Sequence, residues 1–263
     1  MTLPEPILSF WKAALGLHDR VRETSWGAVV TDPRYPRVHE ANHASVLETA
    51  PDLTLEEIRT ELLPALREAG ATHEHIEIMD ADDESRALRE LLASPERHDP
   101  DAVMIYEGGR DPAHRAPPSS EGVRVEVVAR PDDSFWNLYR VVPDQYGEPL
   151  PDDVLDQMLA RVRQIFFPYE SFVVGKVDGA TAGVASVLTL EGVAYIDNVV
   201  TLPPFRGRGV ASATVTHAVS GSLDAGAETV FLLAEENGAP RRLYERLGFR
   251  VQRRCFGFTR PLP

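Results

Sequence analysis

The residues best suited to chemistry are Arg206-Gly207-Arg208-Gly209-Val210-Ala211, within the stretch DNVVTLPPFRGRGVASATV at 197–215. A β-branched run ends near Thr201, a Pro-rich turn follows, and a helix opens at about 209. Glycines at such a junction remove side chains, so backbone N–H groups can converge on an anion. The new helix adds its unpaired N–H groups and the positive end of its dipole. Two arginines add charge and a rigid donor fork. The pattern predicts a phosphate or pyrophosphate cradle; the plain alternative is a Gly-rich turn with solvated arginines. It is not a Walker loop, because no Gly-Lys-Ser/Thr follows. It also lacks the third glycine and the ribose-binding acid of a dinucleotide fingerprint.

The elements that must position this junction can be read on either side of it. VRVEVVA at 123–129 predicts a strand, and DDVLDQMLARVRQIF at 152–166 an amphipathic helix. A meander follows, turning at Asp178-Gly179 and Glu191-Gly192 and ending in VAYIDNVVT at 193–201. A helix over 209–225 stops at Gly226, TVFLLA at 229–234 is a strand, PRRLYERLG at 240–248 a short helix, and 249–258 one or two strands. Earlier in the chain, SWGAVVT at 25–31 reads as a strand. The helix after it carries Thr54 and Glu57 as a capping box, Gly70 as its stop and Pro64 as a kink or early end. A strand at 72–79, a helix at 84–93 and a strand at 101–107 complete a small α/β unit. The run GGRDPAHRAPPSS at 108–120 reads as a linker. The expected domains are therefore 1–110 and 122–263, joined by 111–121. The fold class is α/β with a mixed sheet, not a doubly wound dinucleotide fold.

Composition narrows the partners. The chain has 263 residues, with 41 Asp/Glu against 27 Lys/Arg, a net charge of -14. Residues 1–120 carry 12 Lys/Arg against 23 Asp/Glu, and residues 121–263 carry 15 against 18. Such acidity argues against a nucleic-acid surface, which needs a basic footprint. One cysteine, Cys255, cannot form an internal disulfide. No long apolar stretch predicts a membrane span, the N-terminus is a poor signal peptide, and a cytoplasmic location is expected.

The glycine junction resembles the GCN5-related N-acetyltransferase (GNAT) family. The family's [Q/R]-x-x-G-x-[G/A] signature is met by Arg206 through Ala211. A second stretch, LLAEENGAPRRLYERLGFR, is similar to the family's N…A…LYxKxGF run, with Asn237, Tyr244 and Leu247-Gly248-Phe249 in its places. The resemblance covers about 124–263 and is strongest over 171–250. It implies an acyl-CoA N-acyltransferase fold in the C-terminal domain. It also implies a smaller, partial GNAT-like unit at the N-terminus, making a tandem with a degenerate first copy. That copy shows no glycine loop where one is expected, at DPRYPRVHEANHASV, so no acetyl-CoA site is expected there.

The resemblance further implies acetyl-CoA as cosubstrate. Arg206, Gly207, Arg208, Gly209, Val210 and Ala211 would hold its pyrophosphate, Val199, Val200 and Thr201 would pair with the pantetheine, and Asn237 would contact the cofactor. Tyr244 would be the acid toward the departing thiolate, with packing on the sheet as its alternative. Asp197, on the strand resembling the family's splayed one, is a candidate base, with ordered water as the base, or a structural or substrate-binding role for Asp197, as the alternatives; Glu191 is expected to be solvated. Trp136, Tyr139, Phe167 and Tyr169 either line an amine pocket or pack in the core. His39 and His43 lack a third metal ligand, His73 and His75 share one strand face and could line a cleft, and His217 is expected to be a packed or surface residue; no metal is expected.

The implied function is acetyl transfer from acetyl-CoA to a primary amine of a small molecule or protein, by direct attack in a ternary complex. The assembly is compatible with a homodimer. The alternative is a non-catalytic acyl-CoA-binding or regulatory module docking a partner through its acidic N-terminal domain. Tandem enzymes of thiol-cofactor biosynthesis such as mycothiol synthase are a third reading, for which the chain is short.

Overall fold

The computed structural model describes residues 3–48, 50–80, 85–94, 100–109, 122–140, 142 and 149–262. The chain divides into two compact units, one of Met1–Val103 with Val251–Pro263 and one of Met104–Arg250. The expected linker, 111–121, lies outside the described residues.

The first unit opens with α1 (Glu5–Leu15), whose Ile7 and Phe10 are fully buried. Strands β1 (Arg20–Thr24), β2 (Gly27–Thr31) and β3 (His43–Val46) form an antiparallel meander. Helix α2 (Leu55–Ala69) then crosses over to β4 (His73–Ile78), which runs parallel to β3. The capping box forms as expected: Thr54 Oγ1 accepts from Glu57 N at 3.2 Å, and Glu57 Oε2 accepts from Thr54 N at 2.8 Å. Ile58, Leu62 and Leu66 repeat at helical spacing and are buried against the sheet with Ile76 and Ile78. Pro64 does not end the helix. It is exposed, as is Thr60, so water can replace the donor that the Thr60 carbonyl loses. Helix α3 (Arg86–Leu92) and β5 (Asp101–Tyr106) follow, and the unit ends within β5, at Val103.

The second unit is built from β6 (Val123–Val128), α4 (Asp133–Tyr139), α5 (Asp152–Arg161), β7 (Glu170–Val177), β8 (Ala180–Leu190) and β9 (Val193–Thr201). Helix α6 (Val210–Asp224), β10 (Thr229–Glu235) and α7 (Ala239–Leu247) complete it, and β11 (Phe249–Pro261) follows. Strands β6 to β9 pair antiparallel in order, and β10 joins β9 in parallel. Both hairpin turns form with paired positive φ angles, 51° and 82° at Asp178-Gly179 and 50° and 73° at Glu191-Gly192. The expected helix over 152–166 changes at its end into a π turn, Val162–Phe166.

Two faces of this sheet are covered differently. Helix α6 lies against β7, β8 and β9. Its first residue approaches so closely that a Cβ on Gly183 would fall 2.8 Å from Val210 Cγ1 and 2.4 Å from the Val200 carbonyl oxygen. The opposite face carries an aromatic core in which Phe135, Trp136 and Tyr139 of α4 pack with Phe172, Val174, Val184 and Val200.

The body of β11 pairs antiparallel with β4, from Phe256–Ile78 to Pro261–His73. The last strand therefore belongs to the first unit from Val251 onward, whereas the sequence reading placed all of 122–263 in the second domain. Its anchor is Glu74, whose fully buried carboxylate receives Arg59 Nε at 2.5 Å and Arg260 NH2 at 2.6 Å. A buried carboxylate requires such partners, and one of them sits on β11.

Candidate functional site

Strands β9 and β10 pair from Val193–Thr229 to Ile196–Leu232. Both strands continue, to Thr201 and Glu235, with no further pairing between them among the described residues. A bulge starts the divergence: the β8–β9 register shifts between Val184 and Ser186, and Asn198 takes a left-handed φ of 51°. Asparagine tolerates that region because its amide can bond locally. Here Asn198 Nδ2 donates to Ser186 Oγ at 3.2 Å and to Asp197 Oδ2 at 3.3 Å. A bulge bends its strand and re-aims the next residues, leaving the backbone of Val199, Val200 and Thr201 unpaired on the β10 side.

The open strand runs directly into the glycine junction. A 3-10 turn at Pro203–Phe205 leads to Arg206, whose Nε reaches back to the Thr201 carbonyl at 3.3 Å. Gly207 and Gly209 take φ of 77° and 76°, conformations that an L side chain resists. Gly209 is the N-cap of α6, and no side chain caps that helix, so its first-turn N–H groups are available to a ligand. Arg208 is engaged elsewhere, in an exposed pair with Asp178 at 3.2 Å. Such a pair is weak and exchanges readily for a stronger anion.

Tyr244 lies on α7, buried, with its ring 6.1 Å from that of Phe249. Burial holds its phenol well above the ordinary tyrosine range, and the charge of Asp197 adds to the effect. That coupling links the helix residue to the bulged strand. Asp197 itself is exposed, as are Glu191 in its turn and Asn237 in the turn between β10 and α7.

Comparison with known proteins follows this geometry. Residues 135–249 match the Acetyltransferase (GNAT) family. A GCN5-related N-acetyltransferase from Kribbella flavida superposes with a TM-score of 0.65 at 17% identity, over 100% of this chain and 96% of that one. A tandem GNAT protein from the clavulanic acid biosynthesis pathway gives 0.57 at 16% identity, covering 79% and 70%. The chain is a tandem GNAT-fold protein. N-alpha-acetyltransferase MAK3 of Arabidopsis thaliana is 42% identical over 65 residues, which is 24% of this chain. The chain spans about a third of the length of that curated relative, 34%.

The tandem is visible in the repeat of elements. Strands β1, β2 and β3, then α2, then β4 and α3, run in the same order as β7, β8 and β9, then α6, then β10 and α7. The counterpart of the glycine junction in the first unit is thus 47–54, between β3 and α2, and not DPRYPRVHEANHASV. That longer stretch leaves β2, makes a 3-10 turn at His39–Ala41 and includes β3 itself. The sequence LETAPDLT at 47–54 also contains no glycine.

Of the four aromatics singled out, Trp136 and Tyr139 are buried core residues. Phe167 and Tyr169 remain 38% and 50% exposed at the entry to β7. His39, His43, His73 and His75 are brought together with His18, His39 and His75 having ring centroids only 4.7 Å apart. Among the described residues no group of three or more His, Cys, Asp or Glu has metal-holding geometry. Cys255 is buried and its thiol is pushed up by burial, so it is held in the unreactive protonated form. His217 is half-buried on α6.

Sequence reasoning missed Glu170. It is the first residue of β7, on the face of Phe172, which stands opposite Ser186; Ser186 in turn stands opposite Asp197. Glu170 Oε2 is buried without a hydrogen-bond partner. Desolvation pushes its carboxyl up to about 7; the Asp197 charge adds to this, while the Ser186 hydroxyl and Arg161 oppose it. The only signal in the sequence was a charged residue opening an apolar strand, which is also how ordinary solvated strand ends look.

Proposed function

We propose that this protein transfers an acetyl group from acetyl-CoA to a primary amine. The observation that carries the reading is the parting of β9 from β10 beside an uncapped helix. An extended ligand with amides can add to the free edge of β9 while its phosphates meet the first turn of α6. In this reading Val199, Val200 and Thr201 take the pantetheine. Arg206 to Ala211 take the pyrophosphate, Arg208 after leaving Asp178, and Asn237 contacts the cofactor arm.

The amine nitrogen, once deprotonated, attacks the thioester carbonyl; the N–C bond forms and the C–S bond breaks as the tetrahedral intermediate collapses. The acceptor's proton leaves to a base and the departing thiolate receives one. Tyr244 is the donor in this scheme, its phenol being neutral throughout the physiological range. A strongly raised phenol is a weak acid, so its main contribution is a hydrogen bond to the developing sulfur charge. The acceptor class includes α-amino groups of peptides, in keeping with the activity named for the Arabidopsis relative.

The test combines calorimetry with CoA and release of free thiol from acetyl-CoA in the presence of benzylamine, spermidine or a short peptide with a free α-amino group. Amine-dependent release is expected. Tyr244→Phe should lower turnover with CoA affinity retained. Tight CoA binding without release from any amine would instead favour a non-catalytic acyl-CoA-binding module, and no CoA binding would refute both.

A further inference from the structure

We infer that Glu170, and not Asp197, is the group that takes the proton of the acceptor amine. The inference rests on the acetyl-transfer reading above and deepens it.

The argument starts from register. Residues Glu170 and Phe172 alternate onto one face of β7, and Phe172, Ser186 and Asp197 stand opposite one another across three strands. That face is the one covered by α4 and its aromatic cluster, and the bulge at Asn198 lies where β9 and β10 cease to pair. Asn198 Nδ2 donates to Ser186 Oγ, which leaves the Ser186 hydroxyl proton free to point toward Glu170. One carboxylate oxygen of Glu170 can thus be fixed by Ser186 while Oε2, buried and without a partner, is the acceptor atom.

The groups facing Glu170 come from every neighbouring element: Ser186 on β8, Asp197 on β9 and Arg161 at the end of α5. Asp197 also faces Tyr244 on α7. Asp197 is exposed, so its carboxylate faces water, whereas Glu170 Oε2 is buried. The Asp197 charge keeps the Glu170 proton affinity high, close to where a general base works best. Two carboxylates on one sheet face, with exposed Phe167 and Tyr169 at the entry to β7, suit a cationic amine carrying apolar bulk.

In the step proposed, an ammonium acceptor gives one proton to Glu170 Oε2 and becomes the free amine. Its lone pair forms the N–C bond as the C–S pair leaves on sulfur, the Tyr244 phenol proton passes to the thiolate, the nitrogen's second proton restores the phenol, and Glu170 returns its proton to solvent. No oxidant or further reactant is needed.

The test is the pH dependence of kcat/KM with whichever of the three amine probes gives the fastest release, together with CoA calorimetry. The wild type should lose activity as pH falls through about 7. Glu170→Gln should abolish that limb and lower the plateau by about a hundredfold or more, with CoA affinity retained. Glu170→Asp should restore part of the rate and the limb. Asp197→Asn should keep the limb but move it to lower pH, because a raising charge is gone. A Glu170→Gln enzyme that keeps the limb, or an Asp197→Asn enzyme that loses it, overturns the inference while leaving acetyl transfer intact. Absence of release from wild type with all probes refutes the transfer reading itself.

Discussion

The histidine cluster of the first unit makes a quantitative prediction about stability in mild acid. His73 is 8% exposed, and burial, together with the nearby charges of His39 and His75, brings its imidazole down to about 4 from the usual 6.5. Glu40 and the Asn42 backbone oppose that shift without cancelling it. A base with a depressed folded pKa binds fewer protons folded than unfolded. Its contribution is therefore complete above the unfolded value and is lost as pH falls from 6.5 toward 4. The full loss is on the order of 3 kcal/mol, of which about 2 kcal/mol accrues between pH 7 and pH 5. Glu77, held down to about 2 by His43 and His75, adds a loss of the same sign, but only below its ordinary 4.5. The interval from 6.5 to about 5 thus belongs mainly to His73 within this pair. His73→Phe should flatten the fall in urea midpoint over that interval. The direct assay is the ring Cε1 proton shift of each histidine by NMR. A His73 resonance that titrates near pH 6.5, or an unchanged stability slope in His73→Phe, would refute the argument.

Three further outcomes follow from single contacts. Arg260→Ala should destabilise the first unit by about 2 kcal/mol and increase hydrogen exchange in β4, because Glu74 stays buried with only Arg59 to pair it. Gly183→Ala places a Cβ against the Val200 carbonyl and Val210. It should cost about 1–3 kcal/mol in chemical denaturation and weaken CoA binding in calorimetry, since β9 must move. Gly209→Ala should weaken CoA binding by about tenfold or more with a smaller loss of stability, since a φ of 76° strains alanine just where phosphate must approach the backbone.

The second unit was legible because its signals are local. Two turns carry Asp-Gly and Glu-Gly at the tips, the glycine junction announces a helix start, and Tyr244 and Leu247 mark a helix by their spacing. The first unit was less so. Strand β3 hides in HASV, fully buried and too short for periodicity, so the glycine-loop position was placed one element too early. The ownership of β11 is non-local: nothing in FRVQRRCFGFTRP says that Arg260 meets Glu74, 186 residues away. Glu170 was invisible for the same reason, since its meaning depends on Ser186 and Asp197 across two strand pairings.

The two copies differ, in one contrast, in what the start of their crossover helix offers to an anion. Each has a crossover helix after its meander, and the first N–H groups of each need acceptors. In the first copy Thr54 supplies its own oxygen, and the Glu57 carboxylate sits at the helix start, where the dipole favours negative charge. The site is filled by its own sequence, and an incoming phosphate would meet like charge. In the second copy Gly209 offers no side chain, the first turn carries no acid, and Arg206 lies alongside. An open helix end costs stability, about 1 kcal/mol relative to a good cap, which is a reason to expect it only where a ligand supplies the missing acceptor. Grafting Thr54 and Glu57 onto the Gly209 and Ser212 positions should therefore abolish CoA binding, at a cost in stability, because Thr would be held at a left-handed φ of 76° and Ser212 is buried. A graft that stays folded and still binds CoA would show that the pyrophosphate does not use this helix end.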